Sequence, residues 1–239
     1  MEKDTKIKIY LGLAYLLIVI LFLWLFFNKF SLNDLTSYDF IKNNTDYLIS
    51  LRENNLFLVS LIFFIFTILW VLLLGFGSPV FLLGGFIFGK WLGTILVVLG
   101  LSTGATLLYV LASYFFKDLI KEKFSKKFNK LSIKFKKNEF TFFLLYRFVG
   151  GIPFFISNIL PTLFDVKVKN FFFGSIIGMA PQLFIGTSIG SGIEKVINLN
   201  EDPPNFLSFI NSKDIYVPII GFIFLIILTY LLRKNFFKN

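Results

Sequence analysis

Charged residues divide this chain into long apolar stretches. Ile9–Phe27 runs 19 residues without a charge, close to the length a helix needs to cross a bilayer. No small-x-small cleavage pattern follows it, so it reads as a retained signal anchor. Asn28–Asn55 is polar, and its portion YDFIKNNTDYLISLREN fits a short helix at the interface. Asn54–Gly89 is then uncharged for 36 residues, too long for one span. Pro79 and Gly84-Gly85 break it, which predicts a spanning helix near 56–77 and a re-entrant turn near 79–90. Trp91–Phe116, 26 uncharged residues, predicts another span. Asn170–Ile193 and Ile215–Leu232 predict two more, separated by a polar loop over 194–214. The fold class is therefore an all-α, polytopic integral membrane protein.

The stretch Phe140–Phe164 is different in kind. It holds one charge, Arg147, and is interrupted by Gly150, Gly151, Pro153, Asn158 and Pro161. A guanidinium at the centre of a spanning helix costs about 2.5–3.5 kcal/mol on the insertion scale. Broken backbone at membrane depth persists only where protein buries it or where it lines a wet cavity. The segment 140–165 is accordingly predicted to be a second re-entrant hairpin facing something polar.

The two central pieces look alike. Each has an apolar segment broken at a proline, Pro79 or Pro153, and then a Gly-rich helix. Gly89/Gly93 and Gly100/Gly104 stand four apart in the first, Gly174/Gly178 and Gly186/Gly190 in the second. Small residues at that spacing let helix backbones approach closely in lipid. Interrupted segments at matching positions of two halves point to inverted repeats with a pathway between them. Tight packing without any pathway is the plainer reading of the same glycines.

Lysines set the orientation. Residues 117–139 carry nine Lys against three acids, and 233–239 carry three basic residues and no acid, so both belong on the cytoplasmic side. The loop 194–214, with four acids against two lysines, belongs outside. Within 117–137, Ile120, Phe124, Phe128, Leu131 and Phe135 fall on one helical face. The other face includes Lys121, Lys126, Lys127 and Lys130, which predicts an interfacial helix with lysines toward anionic head groups. The amino end conflicts. A span over 56–77 with a re-entrant turn after it puts Met1 outside, yet Lys3, Lys6 and Lys8 favour inside. Another crossing in the first 90 residues would remove the conflict.

Composition then excludes chemistry. The chain of 239 residues is 56% hydrophobic and has no cysteine and no histidine, with a mean hydropathy of +0.78. Disulfides, thiolate chemistry, a Ser-His-Asp triad and a His-ligated zinc site are out on residue types alone. The apolar segments hold no carboxylate pair for acid–base work. No enzyme, cofactor, metal or nucleic-acid role is expected. The 35 Phe read as packing and lipid-facing residues. The biased composition points to a bacterial cytoplasmic membrane over an organelle membrane. A homo-oligomer is compatible with the sequence.

Several motifs, taken in order, resemble the VTT-domain superfamily (SNARE-associated Golgi proteins), related to the bacterial DedA membrane proteins. Pro79, then LLGGFIFG over 82–89, Gly93 and STGAT over 102–106 look like the family's first run. Arg147, Pro153-Phe154 and Asn158 look like its R-x-x-P-x-x-P-F-x-x-x-N signature, and Gly174, Gly178 and Pro181 like the G-x-x-x-G-x-x-P that follows. The resemblance covers about 56–195, flanked by 1–55 (anchor and polar linker) and 196–239 (polar loop and last span). Gly150 replaces the signature's first proline, and Ser113 an arginine that often closes the third span. The resemblance implies two facing re-entrant hairpins and a role in moving or redistributing phospholipid or lipid phosphate across the bilayer. Its proton-linked branch carries membrane-embedded acids. Here the nearest acids, Asp165 and Glu194, stand at segment ends, so transport without proton coupling is expected. Expected pathway residues are Arg147, Gly150, Gly151, Pro153, Asn158, Pro79, Gly84, Gly85, Gly89 and Pro181. A small-ion or solute transporter, and a membrane-organising factor that transports nothing, remain the alternatives.

Overall fold

The computed structural model describes residues 38–199 and 210–236, together with residues 10, 12–15, 17–21 and 24. Every regular element among them is helical. Helix α1 (Tyr38–Asn54) meets α2 (Leu56–Leu72) at a bend of 115°. Asn55 makes that corner, its side chain capping α2 by accepting from the Leu58 N–H. A long helical run, α3 (Gly77–Lys137), follows. Then come α4 (Glu139–Val149), the short α5 (Phe154–Ile159) continued by a 3₁₀ turn (Leu160–Phe164), α6 (Val168–Leu199) and α7 (Lys213–Phe236).

The run α3 is not one rod. Gly89 adopts φ +74, which a residue with a Cβ rarely takes, and the chain doubles back there. Gly93 lies against the carbonyl of Gly84, and Gly77 comes within 3.9 Å of Leu101. In a straight helix Gly77 and Leu101 would be about 36 Å apart, at about 1.5 Å per residue. The limb 77–88 therefore returns against the limb that begins at Lys90. The turn before it is tight. Leu74 takes φ 61, and the Trp70 indole donates to the Phe76 carbonyl at 2.8 Å. So α2 and 77–88 form a hairpin whose tip is 73–76. The sequence placed a span at 56–77 and the turn at 79–90. The chain reverses at Gly89, within that range, and also at 73–76, and Pro79 stands in the first turn of the returning limb, where its missing N–H has no helical partner to lose.

The second half repeats this scheme. Helix α4 ends at Gly150 and Gly151 with φ +58 and +79, Pro153 starts the return, and α5 with the 3₁₀ turn runs back to Asp165. Glu139, at the start of α4, accepts from the Lys167 N–H at 2.7 Å and from the Asn170 amide at 2.8 Å. The starts of α4 and α6 therefore sit side by side. Phe143 faces Gly174 and Arg147 faces Gly178, one turn further along both helices, so α4 and α6 run in the same direction. In the first half, Thr67 faces Gly100 and Val71 faces Gly104 in the same relation. Packing is by backbone approach in both places. A Cβ on Gly104 would lie 3.2 Å from the Ile68 Cα, and one on Gly178 2.8 Å from the Leu144 carbonyl oxygen.

The second limb of α3 and α6 are the two long helices, antiparallel to each other. Thr94 meets Thr187 at 2.6 Å, Tyr109 stacks on Phe171 at 4.5 Å, and Lys117 pairs with Asp165 at 2.7 Å. Helix α7 runs antiparallel to α6, with Asp214 beside Gly192 and Gly221 beside Ile185. Two helical stretches, Gly77–Lys117 and Val168–Leu199, are long and apolar enough to cross a membrane, or three if the bent α1–α2 pair counts as a span. Phe57, Trp91 and Phe224 project outward, 80%, 68% and 64% exposed. A soluble monomer does not present an apolar surface of that extent.

Beyond Lys117 the backbone stays helical to Lys137, without a break from the span. The side chains of Lys121, Lys126, Lys127 and Lys130, expected at anionic head groups, lie outside the described residues, as does most of the stretch over 1–37 and the loop over 200–209.

Candidate functional site

Arg147 sits in the last turn of α4, where the carbonyl end of a helix favours a cation. Only 3% of it is exposed. Its Nε donates to Ser175 Oγ and its Nη1 to Ser157 Oγ, each at 3.0 Å. Ser157 passes its own proton to the Phe154 carbonyl at 2.7 Å, which leaves its lone pairs toward the guanidinium. Two rings flank the cation, with Cζ 4.7 Å from the Phe171 centroid and 5.2 Å from that of Phe143, and the rings stack on each other at 4.8 Å, so the guanidinium lies beside the pair. Such cation–ring contact stabilises a desolvated guanidinium by roughly 2 kcal/mol. Among the described residues no carboxylate reaches it, so the charge is held by dipoles and π-faces alone.

One donor remains. Arg147 Nη2 is buried and has no partner. An unmade bond on a buried polar group costs roughly 1–3 kcal/mol, more when it is charged. Arg147 also lines a cavity of about 350 Å³ at the point where the two hairpin tips meet. Phe76, Gly77 and Ser78 line it from the first tip, and Gly150, Gly151 and Ile152 from the second. Gln182 of α6 closes one wall, donating to the Arg147 carbonyl at 3.1 Å. Gly150 and Gly151, both at positive φ and without side chains, offer backbone to the cavity. A second cavity of about 310 Å³ shares Gly150, Gly151, Gln182 and Phe222 with the first and extends along α7 to Tyr230.

The expected pathway residues divide. Arg147, Gly150 and Gly151 line the cavity, and Pro153 starts the limb beside them. Pro79 and Pro181 are exposed, each within two residues of a lining position. Gly84 and Gly85 are packing sites, the first against Val97 and Phe63 and the second against the Thr187 backbone, and Gly89 is the bend. Asn158 is fully buried away from the cavity, and neither its Oδ1 nor its Nδ2 has a partner. The Arg147 side chain donates to two hydroxyls, those of Ser157 and Ser175.

Sequence reasoning passed over Ser157, Ser175 and Gln182. A signal existed. Gln182 is the one amide between Phe171 and Ile193, and Ser157 and Ser175 are isolated hydroxyls in apolar runs. Nothing along the chain says that they converge on one guanidinium. No group of three or more metal-ligating side chains occurs among the described residues.

Long apolar helices, an outward apolar surface and a buried cation at a broken helix define a polytopic α-helical membrane protein. The VTT domain family model matches residues 74–192, and the chain belongs to the VTT-domain family. It is 29% identical over 154 residues to the YqeD protein of Bacillus subtilis, covering 64% of this chain and 66% of that one. It is 26% identical over 152 residues to the transmembrane protein 41 homolog of Caenorhabditis elegans, 61% of each chain. The homolog of that name in Dictyostelium discoideum is 27% identical over 165 residues, 66% of this chain and 48% of the relative. The matches thus span from about half to just under two thirds of the relatives' lengths. No solved structure matches the chain significantly.

Proposed function

We propose that this protein lets phospholipids or lipid phosphates pass between the leaflets of its membrane, without proton coupling. The carrying observation is Arg147, a buried cation with one unpartnered donor, on the wall of a cavity between two hairpin tips. A phosphate oxygen is the natural partner for that donor, since a guanidinium binds phosphate through a planar fork. A cavity near mid-membrane with backbone at its rim shortens the polar head group's passage through hydrocarbon. The buried site contains no carboxylate to carry a proton, which favours passive redistribution over ion-coupled transport.

In this reading the hairpins α2/77–88 and α4/α5 are re-entrant. Each dips in from its own side and returns, and the halves are inverted repeats related through the shared glycine packing. The reading also removes the conflict at the amino end. With 56–88 making no net crossing, one anchor span before α1 puts Met1 on the side of the 117–137 linker, where Lys3, Lys6 and Lys8 favour it. Gly12 beside Phe116 and the Tyr15 hydroxyl donating to the Leu72 carbonyl fit an anchor rising from that side. The cell membrane is the proposed location.

Purified protein in liposomes with head-group-labelled lipid tests the activity. Leaflet exchange should rise with wild-type protein, and no rise over empty liposomes would reject it. Cysteine labelling of this cysteine-free chain tests the topology. Ser125→Cys should react with an impermeant reagent only from inside intact cells, and Ser212→Cys only from outside. Labelling of Ser125→Cys from outside would invert the orientation.

A further inference from the structure

The end of the molecule opposite the basic linker carries a third cavity, of about 460 Å³, between α6, α7 and the Gly89 bend. Lys90, Lys195 and Lys213 line it together with Ser188, Ser191 and a single acid, Asp214. Lys195 and Asp214 neutralise each other at 2.7 Å. Lys90 and Lys213 have no acid at ion-pair distance among the described residues, so the cavity keeps an excess of positive charge. Its remaining walls are apolar, with Phe184, Ile185 and Val217 among them.

Two observations make these lysines unusual. Topology does not call for them, because the positive-inside bias is met at the other end by the linker. Their depth is also marked. Trp91, 68% exposed, meets Phe184 at 5.1 Å in a tilted contact, with Lys90 Nζ 6.0 Å from its ring centre, and an outward Trp belongs at the head-group level. A cavity with cations at head-group depth and apolar walls running inward matches an anionic amphiphile. The cavities at Gln182 are also lined from α6 and α7, through Gln182 and Phe222.

We infer that this cavity binds the phosphate group of a lipid at the non-cytoplasmic surface, with Lys90 and Lys213 as its ligating cations. It lies between α6 and α7, distinct from the central arginine. The inference rests on the lipid-passage reading for its role, but its test is binding and not transport.

The full-length protein in nanodiscs of neutral lipid is titrated with dihexanoyl phosphatidate, with dihexanoyl phosphatidylcholine and with inorganic phosphate, and binding is read by the rise in melting temperature. Phosphatidate should bind saturably. Lys90→Gln/Lys213→Gln, both at exposed positions, should keep the unliganded melting temperature and bind about tenfold more weakly, the expected effect of removing two exposed charge contacts. Arg147→Leu should bind as wild type. Weaker phosphatidylcholine binding supports charge recognition. Inorganic phosphate binding as tightly as phosphatidate assigns the site to free phosphate and not to lipid. Unchanged phosphatidate affinity in the double variant, or loss of it in Arg147→Leu alone, overturns the site. Binding of this kind in a protein with no leaflet exchange would reject the transport reading and leave the site standing.

Discussion

The two halves of the helical core share a packing scheme and differ in the side chains that meet its glycines. In each, the first limb of a hairpin lies along a long helix over a pair of glycines four apart. In the first half the limb places Thr67 and Val71 over Gly100 and Gly104. In the second it places Phe143 and Arg147 over Gly174 and Gly178. Val71 is 1% exposed in an apolar cluster. Arg147, in the matching place, is 3% exposed and brings two serines and two aromatic rings with it. One half is scaffold, and the other is the same scaffold fitted with a polar group. What differs is the set of partners, because a buried cation without them is not tolerated.

The largest effects should come from breaking what the halves have in common. Gly104→Leu and Gly178→Leu should each cost above about 3 kcal/mol, since the new side chain meets backbone in both places and cannot be accommodated by a rotamer change. That is a large fraction of an ordinary stability. The yield of monodisperse protein in detergent is the measurement. Gly221 is the control, its added Cβ meeting only the Ile185 side chain at 3.5 Å. Gly12, at the start of the chain, is not a neutral control, because Phe116 lies 2.5 Å from where its Cβ would be. Equal yields for Gly104→Leu, Gly178→Leu and Gly221→Leu would sink the shared packing.

The next effects come from exchanging what distinguishes the halves. Arg147→Leu should fold, since an apolar residue of adequate volume replaces a buried charge at little or no cost, with a stability change within about 2 kcal/mol. Leaflet exchange should fall to that of empty liposomes. Arg147→Lys should fold and exchange at an intermediate rate, a point charge replacing the fork. Val71→Arg should do the reverse and lose about 3–5 kcal/mol, because it places a cation in an apolar cluster. Full exchange by a stable Arg147→Leu protein would detach the arginine from function altogether.

The element types were legible from hydropathy and punctuation, and so was the site's centre. A lone arginine in an apolar run, next to Gly150-Gly151 and Pro153, is anomalous whatever the fold. The reversal at Gly89 falls within the expected turn, but the one at 73–76 was not foreseen, because Pro79 looked like the breaker. Proline in a helix's first turn breaks nothing, and the reversal was made instead by Leu74 and Gly75, a pair with little sequence signature. Gly84 and Gly85 read as breakers for the same reason, while their work is close approach to Val97 and to the Thr187 backbone. Asn158, read as a pathway amide from its place in the motif, is buried. Ser157, one residue earlier, faces the arginine, since neighbouring positions on a helix point about 100° apart. Which of two adjacent polar residues meets a distant partner depends on how the limb is rotated in the fold, and no local pattern records that.

The smallest effect asks how the second half holds its cation. Ser157→Ala leaves Arg147 Nη1 without its hydroxyl, and Ser175→Ala does the same to Nε. Each should lower stability by about 1.5–3 kcal/mol, the range for a hydrogen bond to a charged group. Both losses run through one guanidinium, so the double variant should lose less than the sum. In an Arg147→Leu background the same serine changes should be close to neutral, because both members of the pair are then apolar and no charged donor is left unpaired; Ser157 already donates to the Phe154 carbonyl. The difference between the two backgrounds is the coupling, measurable as the shift in unfolding free energy around the cycle. Lipid exchange adds a second readout. If the serines only hold Arg147 in place, exchange should slow in Ser157→Ala and Ser175→Ala and the arginine's effect should shrink with it. Serine variants that destabilise equally with and without Arg147 would mean that the hydroxyls pack the hairpin for their own sake, and that the cation depends on its aromatic rings and on whatever polar partner enters the cavity.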